Sequence, residues 1–332
     1  MTVPLGSSGV LIAGPYVSRP DHADVVAVRG ELARRGVPSA LFDVAVPGAG
    51  RSLALADASD TADSVRVGGQ GLGDFRAVWR SGPLAFVSPP SFTPEQARAT
   101  NAAWEMAFAA ALDGLGGRVL DPHRSTLHAE NKPLQLRLAR EVGLDVPPTL
   151  ITSDPRAVRA FAEGRRVVAK MLVPPFLLRK NDSAHEVPMV FTRALSEADL
   201  ADLRGLESCP MIFQERLDKA RDVRVTFVGE RLFPTSVDPN LVPEPHVDWR
   251  HDGVALQGQW KAHALPDDVA RKLQALRRQL GLRYGAFDLV ETPEGRHMFL
   301  ELNSFAVFSF VGAALAAPIA DALAELLAAP PA

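Results

Sequence analysis

The sequence has 332 residues, 47% hydrophobic and 23% charged, with a formal net charge of −3 at pH 7 and one cysteine. This composition is that of a globular protein, and the near-neutral charge gives nucleic acid or an anionic membrane no electrostatic advantage as a partner. Cys209 alone cannot form an intrachain disulfide or a multi-cysteine metal site. Since there is no secretory signal and no apolar run of membrane-spanning length, we expect a cytoplasmic protein of roughly two or three domains.

The first third of the chain alternates strands with helices. Its predicted elements are a strand at 10–13, a helix at 23–35, strands at 40–44 and 77–80, and a helix at 93–115. The spacing of the first three predicts a βαβ unit with a parallel sheet, and we assign residues 1–122 to this domain. No G-x-G-x-x-G opens the first helix, which disfavours a dehydrogenase.

The remaining elements are predicted to form a central domain over 123–208 and a C-terminal domain over 209–332. They are helices at 131–142, 154–163, 197–203, 267–280 and 313–327, and strands at 149–152, 167–170, 211–215, 223–228, 231–237 and 257–260. Pro318 is expected to kink or break the last helix. Residues 173–187 carry prolines and charges and are predicted to form a loop or a flap.

The most informative stretch is a predicted hairpin near the C-terminal end. Asp288 lies on its first strand, and the turn at residues 293–295 leads to Glu301 and Asn303 on the second. Glu301 and Asn303 are two residues apart, so their side chains point to the same face. Carboxylate and amide oxygens suit Mg²⁺, which completes its shell with phosphate oxygens. The alternative is a pair of strand ends with solvated carboxylates.

Two lysines occupy positions where an anion is readily bound. Lys132 follows Asn131 at a helix start, and a helix N-terminus with a lysine favours phosphate. Lys170 ends an apolar strand, where a lysine must reach solvent or meet an anion. The alternatives are a solvated helix residue and a surface lysine at a strand end.

The strand at 211–215 and the linker after it offer groups for a nucleotide. Gln214 or Glu215 could take the amino group of adenine, Leu217 could cover its ring, and Asp222 could accept hydrogen bonds from a ribose. These residues are close together in the sequence, but the pattern is not specific. An ordinary edge strand with its turn is the alternative.

Two arginines are candidates for contact with phosphate or carboxylate. Arg224 lies on an otherwise apolar strand, where an arginine usually pairs with a carboxylate or a phosphate. An ion pair with Asp222 or Asp218 is the alternative. Arg250 ends the motif Asp-Trp-Arg and could hold a substrate carboxylate bidentately, or else form a salt bridge within its loop.

Taken in order, these motifs resemble the ATP-grasp carboxylate–amine ligases. Among these, the chain is most similar to the graspetide (microviridin-type) peptide macrocyclases and related ribosomal peptide maturases. The resemblance rests on the order and spacing of Asn131-Lys132, Lys170, Gln214-Glu215, Asp222 to Val225, Asp248 to Arg250, Asp288 and Glu301 to Asn303. Two features depart from the family. Apolar residues at 305–308 follow the metal motif where a proline is usual, and residues 171–190 lack the glycines of the usual flap.

The resemblance implies an α/β (α+β) ATP-grasp fold, in which an N-terminal βαβ (pre-ATP-grasp) domain precedes a central domain and a C-terminal antiparallel-sheet domain. ATP would lie between the last two. The implied residues are Lys132 and Lys170 for the ATP phosphates, Gln214, Glu215 and Leu217 for adenine, Asp222 for ribose, Asp288, Glu301 and Asn303 for Mg²⁺, and Arg224 and Arg250 for the transferred phosphate.

The resemblance also implies a reaction and partners. An Asp or Glu side chain of a ribosomal precursor peptide is activated as an acyl-phosphate, and an ester or amide crosslink follows. A leader segment of the precursor docks away from the active site, and the enzyme is a homodimer. Two other functions stay open at this point: an ATP-grasp ligase of small amino acids or dipeptides, and a non-catalytic nucleotide-binding module.

Overall fold

The structure, a computed structural model, describes residues 9–46, 51–53, 65–67, 69–84, 86–172, 191–242 and 247–329. Within these ranges the helices are Ala23–Arg34 (α1), Pro94–Gly114 (α2), His123–Ala129 (α3), Lys132–Glu141 (α4), Pro155–Ala162 (α5), Glu197–Ala201 (α6), Asp267–Leu280 (α7) and Ala313–Ala328 (α8). None of these helices has the length and apolar character that a membrane crossing needs.

The strands of the same ranges form four sheets. They are Val10–Gly14 (β1), Ser39–Asp43 (β2), Arg51–Leu53 (β3), Val65–Val67 (β4), Gln70–Gly71 (β5), Ala77–Arg80 (β6), Val119–Leu120 (β7), Thr149–Thr152 (β8), Val167–Met171 (β9), Arg193–Ala194 (β10), Met211–Glu215 (β11), Arg221–Val228 (β12), Arg231–Val237 (β13), Lys261–Ala262 (β14), Tyr284–Glu291 (β15) and His297–Asn303 (β16).

The N-terminal sheet is parallel, with strand order β2-β1-β6-β7. All five residues of the apolar strand β1 are buried, because β2 and β6 pair with its edges while α1 and α8 cover one face and α2 covers the other. Thr93 caps the N-terminus of helix α2. Its hydroxyl accepts from the Gln96 main-chain amide, and the Gln96 side-chain oxygen accepts from the Thr93 main-chain amide. The predicted βαβ unit and its parallel sheet are therefore confirmed.

Two antiparallel sheets follow. The central sheet has the order β10-β9-β11-β8, and the C-terminal sheet has the order β14-β13-β12-β15-β16. Strand β11 pairs with β8 and β9 although it comes after residue 208 in the chain. A small three-stranded sheet of β3, β4 and β5 completes the set. The domain bounds at residues 122 and 208 stay predictions.

The two faces of the C-terminal sheet have different surroundings. On β12, Val223, Val225 and Phe227 point into an apolar core that includes side chains of α4 and α7. Asp222 and Arg224 alternate with them and point to the other face. At the far end of the sheet that other face packs on α8, which also packs against α1. The alternation thus directs the polar side chains of β12 away from the core.

The predicted strand at 257–260 is wrong, and the last helix has no break at Pro318. Residues 257 and 258 lie in a turn and residues 259 and 260 have no regular structure, since Gly258 has φ of +76° and ends any extended run; strand β14 begins at Lys261. Helix α8 continues without a break through Pro318. Burial of the residues after Pro318 against α1 and β12 outweighs the single hydrogen bond that the proline removes. The predicted flap at 173–187 lies outside the described residues.

Gly285 permits the close approach of β15 to its neighbours, and its replacement tests this packing. A Cβ at this position would lie 2.7 Å from the Phe227 ring and 2.9 Å from the Asn303 main-chain oxygen. We expect Gly285→Ala to lower the free energy of unfolding by about 1–3 kcal/mol, because the strands must move apart. Urea titration followed by circular dichroism measures the loss.

Gly30→Ala is the matched control, since nothing lies within 4 Å of a Cβ at this helical position. Its free energy of unfolding should rise by about 0.5–1 kcal/mol. Wild-type stability in Gly285→Ala would contradict the packing of β15 on β12 and β16.

Candidate active site

A cavity of about 260 Å³ lies between the central and C-terminal sheets. Strands β9, β11, β12, β15 and β16 contribute to its walls, together with the linker after β11 and a loop at residues 247–250. The predicted site residues in its lining are Lys170, Gln214, Glu215, Leu217, Asp222, Arg250, Asp288 and Glu301. The other three, Lys132, Arg224 and Asn303, are not part of this lining, but each bonds to one of its carboxylates.

Asp288 is held by side chains from both neighbouring strands. The antiparallel register places Arg224 of β12 opposite Asp288 of β15 on the same face. Arg224 Nη1 donates to the two carboxylate oxygens at 2.8 and 2.9 Å, and the side chains of Arg224 and Asp288 are 8% and 13% exposed. Asn303 Nδ2 donates to Oδ2 of the same carboxylate at 2.7 Å. Three of the predicted residues therefore form one bonded group.

Glu301 lies opposite Asp288 on β16 and is surrounded by basic side chains. Lys132 Nζ is 3.0 Å from its Oε2, and Arg250 Nη1 is 4.0 Å from its Oε1. Burial raises the pKa of this carboxyl, but the charges of Lys132, Arg250 and Lys170 outweigh burial and hold the pKa well below its usual range. Glu301 is therefore ionised at neutral pH, as a metal-binding carboxylate must be.

Helix α4 brings Lys132 to this carboxylate. The helix begins there because Asn131 Oδ1 caps it by accepting the amide three residues on, at 3.0 Å. One turn later the fully buried Gln135 accepts from the Leu302 amide at 2.8 Å and donates to the Leu302 carbonyl at 2.9 Å. Gln135 is not among the predicted site residues, although its i, i+3 spacing from Lys132 places it on the same helix face. These bonds fasten α4 to β16.

Lys170, another residue of the cavity lining, is bonded to Gln214. Lys170 Nζ donates to Gln214 Oε1 at 2.8 Å, and Gln214 Nε2 donates to Thr149 Oγ1 at 3.0 Å. Burial lowers the pKa of the Lys170 ammonium, although nearby carboxylates oppose the shift. The side-chain amide of Gln214 thus orients the lysine, while Glu215 and Leu217 line the cavity beside it.

Asp222 has one bonded and one unbonded carboxylate oxygen. Lys219 Nζ donates to Oδ1 at 2.8 Å, whereas the buried Oδ2 has no hydrogen-bond partner in the described part of the chain. Burial raises the pKa of this carboxyl, and the charge of Lys219 lowers it by less. A buried acceptor at a cavity wall is suited to a hydroxyl donor of a ligand. Lys219 also lines the cavity, and the sequence motifs did not identify it.

The loop at residues 247–250 carries Arg250. The Arg250 guanidinium donates to both oxygens of Asp248, at 2.8 and 2.7 Å, so the predicted alternative of a salt bridge within the loop is present. Its third nitrogen faces Glu301, and the side chain is 43% exposed. Asp248 also accepts from the Thr192 amide at 3.2 Å, which joins the loop to the chain before β10. Arg250 therefore remains accessible from the cavity while its direction is fixed.

The segment at residues 304–310 contains the apolar residues 305–308 that follow the metal motif, and it lies beside Arg224. Val307, its exposed member at 49%, has a carbonyl that lies 3.5 Å from Arg224 Nη2. Besides Arg224, the side chains outside the segment that bond to its backbone are Glu130, Tyr284 and Asp24. The backbone of this segment is thus held by hydrogen bonds from four different parts of the chain.

The donors at Asp288, Glu301 and Asn303 fit Mg²⁺ better than a transition metal. Within the described ranges no three or more His, Cys, Asp or Glu side chains are grouped as a metal site. Mg²⁺ needs fewer protein ligands, because it keeps several waters and is bound through one or two carboxylates and substrate phosphates. Two carboxylates and an amide on adjacent strands meet this requirement.

Comparison with known proteins decides the family. No protein-family model and no curated protein matches the sequence. Among solved structures, the macrocyclase MdnC from Microcystis aeruginosa MRC, bound with precursor peptide MdnA, is 30% identical with a TM-score of 0.79, and the match covers 96% of this chain and 99% of that one. The chain belongs to the graspetide ATP-grasp ligases.

Other members of this family agree. The macrocyclase MdnB from the same organism is 26% identical, with a TM-score of 0.73 over 96% of this chain and 99% of its own. The ATP-grasp ligase PsnB, complexed with a phosphomimetic variant of its minimal precursor, Mg and ADP, is 25% identical, with a TM-score of 0.70 over 96% and 98%. The predicted ATP-grasp fold is confirmed, and this graspetide ligase is an ATP-dependent enzyme.

The bond between Lys132 and Glu301 gives a stability prediction. Lys132→Met leaves a buried carboxylate without its nearest cation, so we expect the free energy of unfolding to fall by about 3 kcal/mol. Adding Glu301→Gln should recover part of this loss, because the remaining group is then neutral. Urea titration of the two variants and the wild type measures the difference. Equal stability of Lys132→Met and the wild type would contradict a structural ion pair.

Proposed function

We propose that this ligase uses ATP and Mg²⁺ to activate an Asp or Glu side chain of a ribosomal precursor peptide as an acyl-phosphate. A hydroxyl or amine of the same peptide then displaces the phosphate and forms an ester or amide crosslink. The carrying observation is the pair of carboxylates, Asp288 and Glu301, that lie opposite each other and are each bonded to a buried cation at the wall of the cavity. MdnC and PsnB, with their bound precursors, support a peptide substrate.

In this proposal Asp288, Glu301 and Asn303 hold Mg²⁺, which when bound offsets the negative charge of the phosphates. The sheet register sets the spacing of these oxygen donors before any ligand arrives. Asn303 Nδ2 donates to Asp288 and lies 3.4 Å from Glu301 Oε1, so the amide also fixes the direction of both carboxylates. The ligands are therefore oriented in advance.

Other residues of the cavity wall are assigned to the nucleoside. Glu215 and Leu217 are assigned to adenine, and the unbonded Oδ2 of Asp222 to a ribose hydroxyl. Lys170 and Lys132 are assigned to the phosphates. We assign Gln214 to adenine as well, with the added task of positioning Lys170, because its side-chain oxygen already accepts from that lysine.

The chemistry is assigned to charge neutralisation at fixed positions. Arg224 contacts Asp288, and Arg250 approaches Glu301. Both arginines are assigned to stabilise the phosphoryl group during its transfer. Arg250 is the more exposed of the two, so it is also the better placed to contact the peptide. The protein itself forms no covalent bond in this scheme; orientation and electrostatics provide the rate.

Four organisational features belong to the same proposal. We propose the domain bounds 1–122, 123–208 and 209–332, a homodimer, and a location in the cytoplasm. The leader segment of the precursor is proposed to dock away from the cavity. Light scattering coupled to gel filtration tests the dimer: a mass twice that of the 35.7 kDa chain is expected, and a single-chain mass would contradict it.

Mass spectrometry of the precursor peptide encoded nearest this gene tests the function. After incubation with enzyme, ATP and Mg²⁺, we expect the peptide to lose one water for each crosslink formed. Glu301→Ala and Arg224→Ala should slow this reaction by about 10²–10³-fold, since each removes a group that stabilises transferred charge. Glu141→Gln, which removes an exposed carboxylate of α4 outside the cavity, is the control and should leave the rate unchanged.

Two outcomes would contradict the proposal. An unchanged peptide together with ADP release in the presence of free amino acids would identify a small-molecule ligase. A near-normal rate in Glu301→Ala would remove the metal assignment, whatever the substrate.

A further inference from the structure

Lys219 connects strand β12 to the loop that carries Arg250. Its Nζ donates to Asp222 Oδ1 at 2.8 Å and to the Val247 carbonyl at 2.6 Å. The side chain is 15% exposed and lies in the cavity wall. One ammonium group therefore bonds both the Asp222 carboxylate and the main chain at Val247, in the loop that carries Arg250.

The residues after Val247 form a compact turn that is held by main-chain hydrogen bonds. A change in the position of Val247 is therefore expected to move the whole turn. The His251 amide donates to the Asp248 carbonyl at 3.0 Å, and the Asp252 amide donates to the Trp249 carbonyl at 3.0 Å. The Asp248 carboxylate then fixes the Arg250 guanidinium through two bonds. A displacement of Val247 is therefore transmitted to Arg250 and to its 4.0 Å approach to Glu301.

A second anchor holds the same loop from the opposite side. The Trp249 ring stacks on Phe310 with centroids 4.8 Å apart, and Trp260 lies edge-on to it at 5.0 Å. We expect this aromatic cluster to keep the loop folded when Lys219 is replaced. Loss of the lysine should therefore shift the loop rather than unfold it, which makes its effect measurable in a folded protein.

We propose that Lys219 is a positioning residue that sets the place of Arg250 through its bond to the Val247 carbonyl, and so aligns the arginine with the nucleotide. The proposal rests on the proposed function for its kinetic consequences, but the contact itself does not depend on any substrate. A lysine suits this task because its ammonium has three donors and can bond a charged and a neutral acceptor together. Methionine at the position keeps the length and loses both bonds.

Hydrogen–deuterium exchange of the ligand-free protein tests the contact directly. In Lys219→Met, we expect the amides of residues 248–252 to exchange at least about tenfold faster, because the loop loses its bond to Lys219. Lys219→Arg keeps the charge and the donors and should recover most of the protection. Lys272→Met is the control, since Lys272 pairs with Asp268 on helix α7, outside the cavity lining. Unchanged exchange in Lys219→Met would overturn the proposal.

Asp222→Asn separates the two bonds of the lysine. It weakens the bond between Lys219 and residue 222 but leaves the bond to Val247. We therefore expect its exchange in residues 248–252 to stay close to that of the wild type. Faster exchange in this variant, equal to that of Lys219→Met, would mean that the lysine acts only through Asp222, and this would contradict the proposed positioning of the loop.

A double-mutant cycle tests the link to Arg250 in turnover. Lys219→Met should lower kcat by about 10- to 100-fold, since a small misplacement of a reacting group has effects of that size. The double variant Lys219→Met/Arg250→Ala should be no slower than Arg250→Ala alone, because both changes remove the same contribution. Factors that multiply, or an increase in KM for ATP with kcat unchanged, would overturn the positioning role.

The two experiments separate this inference from the proposed function. If the wild-type enzyme leaves the precursor peptide unchanged while exchange behaves as expected, the function falls and the loop contact stands. If the peptide is crosslinked at a normal rate by Lys219→Met, the function stands and the positioning role falls.

Discussion

The carboxylates of Asp288 and Glu301 face each other on adjacent strands, and the rest of the site depends on the cations that balance their charge. Two carboxylates so close together repel each other, and both side chains are largely removed from water. Arg224 and Lys132 each neutralise one of them. The arginine comes from the neighbouring strand, while the lysine comes from a separate helix, so the balance of charge requires the sheet and helix α4 to meet.

This requirement explains why α4 is attached to β16 through polar side chains as well as apolar ones. The apolar contacts between α4 and the sheet are not directional and allow small rotations of the helix. Gln135 removes this freedom, because its amide matches both main-chain groups of Leu302. A fully satisfied buried polar contact of this kind fixes one arrangement of the two elements. Here that arrangement places the Lys132 ammonium against Glu301.

The N-terminal sheet contributes to the same site from a distance. Helix α1 presents Asp24 to the backbone of the segment that follows β16, and helix α8, which that segment leads into, packs on both α1 and the C-terminal sheet. The segment 304–310 is thus fixed at both ends and in its middle. The carbonyl of its Val307 lies 3.5 Å from Arg224 Nη2, so this fixed segment forms part of the surroundings of the arginine.

The sequence was sufficient where the information is local. Strand alternation placed Glu301 and Asn303 on one face, and the helix cap at Asn131 placed Lys132, and the structure brings all three together. It was insufficient where partners come from different strands. The alternative ion pair of Arg224 with Asp222 or Asp218 is wrong, because the register of β12 and β15 sets Asp288 opposite the arginine.

The same limit applies to Lys219 and to the chain around residue 260. Lys219 lies in the linker between β11 and β12, and its partner Val247 is distant in the sequence. A periodic sequence pattern does not predict such a contact, because it depends on how the central and C-terminal sheets are placed. The short strand β14 is defined by its pairing with β13, whereas the residues before it, which include Gly258 with φ of +76°, do not form a strand. The functional roles of the site residues remain predictions, since their placement together does not by itself assign them.

A crystal structure with Mn²⁺ in place of Mg²⁺ and a non-hydrolysable ATP analogue is the most direct measurement of the central claim. The account predicts an anomalous peak within coordination distance of the Glu301 and Asp288 carboxylates, with Arg224 still bonded to Asp288. Nucleotide bound with its metal on other residues, or a peak at neither carboxylate, would contradict it.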